Sequence, residues 1–311
     1  MRTTMHPQDL TDRLATVVAI PITPFDGEGE VDWPLLATLT RRLVDHGITA
    51  LTVNGNTGEF YALSPAERRR AVEVTVEAAG DRATVVAGVG FDLRTAREDA
   101  RHARDAGANA VMVHEPAHPY LSPTGWAGYN AAVASAVPEI GVLPYVRSPR
   151  ITGEAIRSLA EGAPNLVGLK YSVPDPAHFA GTLADVGRDD LLWIAGLAEP
   201  YAPAYWQAGA RAFTSGLVNV SPAVSLAMLA GLRAGDAASV AAQWRRIRRF
   251  EELRSRDGSA DNVSVVKEAM AQAGLCRRDV RPPSRQLPED VAAAVTSAVA
   301  DWPGLTSGDA A

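Results

Sequence analysis

Eight short runs rich in apolar and β-branched residues alternate with stretches of helical periodicity along most of this 311-residue chain. The strand-like runs cover residues 17–22, 50–55, 83–90, 110–115, 141–146, 166–171, 191–196 and 210–216. Between them the apolar positions fall at helical spacing, as in residues 34–44. Helix starts carry caps: in Ser64-Pro65-Ala66-Glu67 the serine caps, the proline fills the first turn and the glutamate completes a capping box. Gly47, Gly80, Gly107 and Gly209 stand where helices should end. Eight strand-plus-helix units in one run predict a closed parallel (β/α)8 TIM barrel rather than an open sheet. A hydrophobic content of 47% supplies ample core for it.

Strand signals stop near Pro222, and residues 223–234, 237–254, 263–273 and 288–301 all read as helices. The expected division is a barrel core over 1–222, a closing barrel helix with C-terminal helices over 223–303, and a flexible tail over 304–311. Pro282-Pro283 separates the last two helices. Residues 1–12 are polar and small, and are expected to be mobile.

A net charge of −6 argues against nucleic acid as a partner, and no dense basic block compensates for it. Arg245-Arg246-Ile247-Arg248-Arg249 reads as a solvated helix face or a subunit contact. Cys276 is the only cysteine, so neither an internal disulfide nor a thiolate metal site is expected. The six histidines show no metal-ligand spacing. Without a signal-like amino terminus or an apolar stretch of about 18 residues, a cytoplasmic location away from membranes is expected.

The chain has 28 arginines and only two lysines, and one of these, Lys170, ends the apolar run Leu166-Val167-Gly168-Leu169-Lys170. Burial disfavours an ammonium and makes the amine a better nucleophile toward a carbonyl. Arginine cannot substitute, because its guanidinium stays protonated. The alternative is a strand-end lysine that reaches solvent or pairs with a carboxylate. Three further strand ends carry polar groups. Gly55-Asn56-Thr57-Gly58 can aim backbone N–H groups and a hydroxyl at an anion, or can be a plain loop. Tyr145, with Arg147 and Arg150 beyond it, offers a proton-transferring phenol and cations for a carboxylate, or an amphipathic core residue. Ser215, Gly216 and Asn219 form a small, polar segment where a substrate would fit.

Gly55-Asn56-Thr57-Gly58-Glu59, Tyr145, Gly168-Leu169-Lys170 and the segment from Ser215 to Pro222 resemble, in order and spacing, the dihydrodipicolinate synthase/N-acetylneuraminate lyase family. Ala19-Ile20-Pro21-Ile22-Thr23-Pro24-Phe25 and Val266-Lys267-Glu268 extend the likeness over roughly residues 15–300. The resemblance implies a class I aldolase-type mechanism with no metal and no organic cofactor. Lys170 would form an imine with a pyruvate-like 2-oxo acid, Tyr145 would shuttle protons, and Asn56 and Thr57 would clamp the carboxylate. Glu59 would support the loop. It also implies a homotetramer or homodimer, with the segment around His118 and Tyr120 at an interface.

Several positions depart from the synthase pattern. Asn56 stands where a threonine links two tyrosines in a proton relay, and His118 falls closest to the place of the second tyrosine. His118 is therefore expected either to act as an acid or base near neutral pH or to be a rim histidine bonded to backbone. The segment Tyr145-Val146-Arg147-Ser148-Pro149 is one residue longer than its counterpart, and Tyr171-Ser172 follows the lysine. Gly58-Glu59-Phe60 and Gly196-Leu197-Ala198-Glu199 look more like the 5-dehydro-4-deoxyglucarate dehydratase branch. The expected function is a Schiff-base lyase, aldolase or dehydratase, on a polar 2-oxo acid, in its most specific form that sugar diacid. Arg147 or Arg150 would hold the second carboxylate. The alternatives are 4-hydroxy-tetrahydrodipicolinate synthase and a barrel that binds a 2-oxo acid without turnover.

Overall fold

Side chains alternate across a strand, so a closed sheet sends every second residue into its centre and must fill that space with them. In the computed structural model, which describes residues 7–303, eight strands meet this condition. They are β1 (Val17–Ala19), β2 (Ala50–Val53), β3 (Thr84–Val89), β4 (Ala110–Val113), β5 (Gly141–Val146), β6 (Gly168–Tyr171), β7 (Leu192–Ala195) and β8 (Ala212–Ser215). They close in chain order into one barrel, with parallel pairing such as Ala110 with Gly141 and Tyr145 with Lys170. Ala110 and Met112, Leu143 and Tyr145, and Leu192 and Ile194 alternate into a single buried cluster. The fold is the (β/α)8 barrel expected, followed by additional C-terminal helices.

Most strands are shorter than their apolar runs. Residues past the strand ends leave the ladder: after β2, Asn54 takes a left-handed conformation and Asn56–Gly58 closes a 3-10 turn. Period alone cannot see where the ladder stops, because loop residues at the strand ends are themselves buried.

The chain divides into two compact units. The first takes in the residues up to Val18, Thr49–Val53 and Asp81–Thr214. It holds nearly all of the barrel strands, with helices α1 (Pro7–Leu14), α4 (Leu93–Asp105), α5 (Pro123–Ala134), α6 (Gly153–Gly162), α7 (Pro176–Val186) and α8 (Ala198–Gln207). The second takes in Ala19–Ile48, Asn54–Gly80 and the chain from Ser215. Its helices are α2 (Trp33–Asp45), α3 (Pro65–Ala79), α9 (Pro222–Ala234), α10 (Ala237–Ser259), α11 (Asn262–Gln272) and α12 (Glu289–Val299). The capping box at the start of α3 forms as expected. α10 departs from helical geometry over residues 256–258, close to the end anticipated at 254. Among the described residues, no helix is long and apolar enough to cross a membrane.

The expectation of a mobile amino terminus is corrected over residues 7–12, which begin helix α1; the rest of that segment, and the tail over 304–311, lie outside the described residues. Leu10 and Leu14 sit four apart on one helix face and join the apolar cluster inside the barrel. Gly141, the first residue of β5, makes room: a Cβ there would lie 2.5 Å from a Leu10 methyl. Two leucines at helical spacing within an otherwise polar octet were the available signal.

Leu14 is fully buried, so Leu14→Ala should lower the unfolding free energy by about 2–5 kcal/mol. Chemical denaturation measures this, and a loss well under about 1 kcal/mol would contradict the role of α1 as a plug.

Candidate active site

Lys170 reaches the barrel interior from β6, and its side chain is buried, with 4% of the residue exposed. The register pairs it directly with Tyr145 on β5, and its Nζ lies 4.1 Å from the centre of the Tyr145 ring. Burial pushes the amine below the usual lysine range; Tyr145 opposes the shift and the Arg147 charge adds to it. Desolvation dominates, which favours a neutral, nucleophilic amine. The Arg147 guanidinium carbon stands 5.9 Å from the same ring. Gly196, just past β7, is fixed by this arrangement: a Cβ there would lie 2.1 Å from Ser172 Oγ and 2.9 Å from Lys170 Cγ.

The loop bearing Arg147 is held by Glu115 from the end of β4. One carboxylate oxygen of Glu115 accepts the backbone N–H groups of Arg147 at 2.7 Å and Ser148 at 3.0 Å. Arg150 turns back on its own loop, where its backbone N–H and Nε both donate to Ser148 Oγ. The structure thus sets the Arg147 guanidinium near the Tyr145 ring beside Lys170, while Arg150 makes its side-chain contact with Ser148; both arginines are exposed.

His118 lies on an exposed loop, its Nδ1 accepting the Tyr120 backbone N–H at 3.2 Å. The histidine ring against Tyr145 is that of His114, 1% exposed, with ring centres 6.1 Å apart and planes at 66°. Sequence reading passed over His114, although alternation from Ala110 and Met112 points it inward. Ser172 was also passed over, two residues beyond Lys170 on the same side. Its buried hydroxyl has no hydrogen-bond partner.

The remaining candidates belong to the second unit. Thr57 is buried in the turn after β2, and a Cβ on Gly216 would lie 2.9 Å from Thr57 Oγ1 and 2.6 Å from an Arg254 nitrogen. Only glycine fits between them. Asn56 Oδ1 is buried and unpartnered. Asn219 is committed to the backbone, donating to Ile20 and Gly216 carbonyls and accepting from the Ile22 N–H. Ser215 Oγ accepts the Val218 N–H and bonds to Ser225.

Glu59 supports its loop through its carboxylate. It takes the ammonium of Lys267 at 2.5 Å and the backbone N–H of Arg281 at 2.9 Å. Lys267 also donates to the Asp279 carbonyl and lies 4.1 Å from the Phe25 ring centre. The Arg281 guanidinium grips Glu67 through both carboxylate oxygens, which draws that carboxyl down to about 2.

The model of the Dihydrodipicolinate synthetase family matches residues 13–301. The chain belongs to that family. A probable 5-dehydro-4-deoxyglucarate dehydratase of Bradyrhizobium diazoefficiens is 31% identical over 309 residues, covering 97% of each chain. Among solved structures, dihydrodipicolinate synthase from Bacillus clausii is 39% identical, with a TM-score of 0.90 over 94% of this chain and 98% of its own. The synthase from Oceanobacillus iheyensis is 34% identical, with a TM-score of 0.90 over 95% and 98%. Dihydrodipicolinate synthetase family chemistry is class I lyase chemistry, and the chain is a Schiff-base lyase acting on a 2-oxo acid.

Because the Arg147 charge helps to hold the Lys170 amine neutral, Arg147→Gln should move the pH dependence of amine reactivity upward. A neighbouring cation disfavours the ammonium, so removing it raises the lysine pKa. The rate of pyruvate trapping by borohydride against pH measures the shift; a shift downward would contradict the electrostatics.

Proposed function

We propose that Lys170 forms the imine, and that the enzyme is a dehydratase or aldolase of polar 2-oxo acids. Its preferred substrate would be a sugar diacid of the 5-dehydro-4-deoxyglucarate type. The observation that carries the reading is the buried Lys170 amine beside the Tyr145 ring, with the Arg147 guanidinium over that ring. The amine attacks the ketone, water leaves, and the protonated imine becomes an electron sink for the neighbouring carbon. Tyr145 moves the proton at that carbon. On the resemblance, Thr57 and Asn56 take the carboxylate beside the ketone, with Gly216, Ser215 and Asn219 shaping that end.

A diacid brings a second carboxylate, which Arg147 suits by charge and fork geometry. Arg150 is the reserve candidate on the same loop. The 31%-identical dehydratase relative supports this substrate class. The 39%-identical synthase supports the other reading, condensation of pyruvate with an amino-aldehyde acid. Asn56 and the longer loop at Arg147 depart from the synthase pattern, although the dehydratase branch usually carries glycine where Asn56 stands. A homodimer or homotetramer in the cytoplasm completes the proposal. His118 and Tyr120, the latter 85% exposed, would lie at a subunit contact.

Steady-state kinetics test it. The enzyme should turn over a 2-oxo sugar diacid faster than it condenses pyruvate with aspartate semialdehyde. Arg147→Ala should raise KM for the diacid by about 10- to 100-fold, the equivalent of losing a charged hydrogen bond, and should spare monoacids. Equal effects on diacids and monoacids, or none, would remove the assignment of Arg147.

A further inference from the structure

We propose that His114 is the proton-holding partner of Tyr145, a positioning residue that acts on the reacting carbon through the phenol. The inference rests on the imine reading above and adds to it the residue that accepts the proton from Tyr145. Three observations carry it. His114 is 1% exposed, and its backbone N–H bonds to Val89 O, so its strand-end position is fixed. It follows Ala110 and Met112 at every second residue, and both of these line the barrel interior with Tyr145. Its ring meets the Tyr145 ring edge-on, with centres 6.1 Å apart.

The surroundings define what the imidazole senses. Beyond Tyr145 on β5 come Lys170 on β6 and the Arg147 guanidinium. Glu115, next in the chain, is turned to the backbone of the Arg147 loop. β3, on the other flank, reads Thr84-Val85-Val86-Ala87-Gly88-Val89 and brings no titratable side chain. α4 packs on β3 and β4 outside the barrel, where Asp99 is its buried acid. α5 contributes Tyr129, whose hydroxyl donates to Phe91 O.

In the enamine-forming step, the C–H bond beside the imine carbon breaks and its electron pair moves into the imine. The proton passes to the Tyr145 oxygen as the phenol's own proton moves to a neutral His114 nitrogen. Reversal returns a proton from the imidazole, now exchanged with solvent. A neutral imidazole is required, so the step slows as falling pH protonates the imidazole.

The experiment uses pyruvate in D2O and follows deuterium entering its methyl group by proton NMR from pH 5.5 to 9. Wild-type exchange should decline on the acid side. His114→Asn and His114→Phe should each slow exchange by about 100-fold, as expected for losing an acid–base partner. They should also flatten the acid limb, while borohydride still fixes pyruvate on the protein. Retained adduct shows that variants have an intact imine site. Wild-type rates and profile in an adduct-forming variant would overturn the proposal. So would an acid limb absent from the wild type itself, a reading that needs no variant, or one that His118→Phe abolishes. A wild type that forms no adduct and exchanges no proton would instead fail the imine reading on which the proposal rests.

Discussion

Keeping a lysine amine inside a packed barrel costs free energy whenever the amine is charged, and the barrel centre is arranged around that cost. Lys170 sits in register with Tyr145 and Ile194 of the buried apolar cluster, with the Tyr145 ring beside its amine. Aromatic contact compensates little of the lost hydration, so the neutral form gains. The side chain could not lie there without a glycine at position 196, because any Cβ would strike its stem. Arg147 adds a like charge nearby, and Glu115 holds the loop that presents it. A buried amine, a phenol and, at the rim, a guanidinium stand together there.

The second lysine provides the contrast. Lys267 is as deeply buried as Lys170, and burial likewise pushes its pKa down. Yet the Glu59 carboxylate lies at 2.5 Å and a backbone carbonyl at 2.8 Å, so its hydrogen-bonding capacity is largely used. That pair ties the turn holding Thr57 to helix α11. Two lysines in one chain thus meet burial in different ways, and the difference is the presence of a carboxylate. Paired, the residue is a strut; beside a phenol, burial pushes its amine toward the neutral form.

Much of this arrangement was legible in the amino-acid order. Apolar runs, caps and glycine stops read directly as a barrel, since the local signals for strand, helix start and helix end agree there. Lys170 and Tyr145 stood out because a charged group and a phenol at strand ends are chemically conspicuous. His114 was not conspicuous, as it lies at the end of an ordinary apolar run, whereas His118 drew attention by its place in a motif. Tertiary alternation, not motif order, separates the two. Asn219 and Ser215 read as substrate contacts, yet they spend their hydrogen bonds on backbone and a neighbouring serine. Polar residues beside a site serve the loop as readily as the ligand, and composition cannot distinguish these uses. Helix α1 was missed because only Leu10 and Leu14 mark it.

Lys170 is proposed as the carbonyl-attacking amine. Intact mass after incubation with pyruvate and borohydride tests it directly, because only two lysines and the amino terminus are available to react. The wild type should gain one reduced pyruvyl group, with peptide mapping to Lys170, and Lys170→Ala should gain none. An adduct of equal yield in Lys170→Ala, or one mapped to Lys267, would contradict the account.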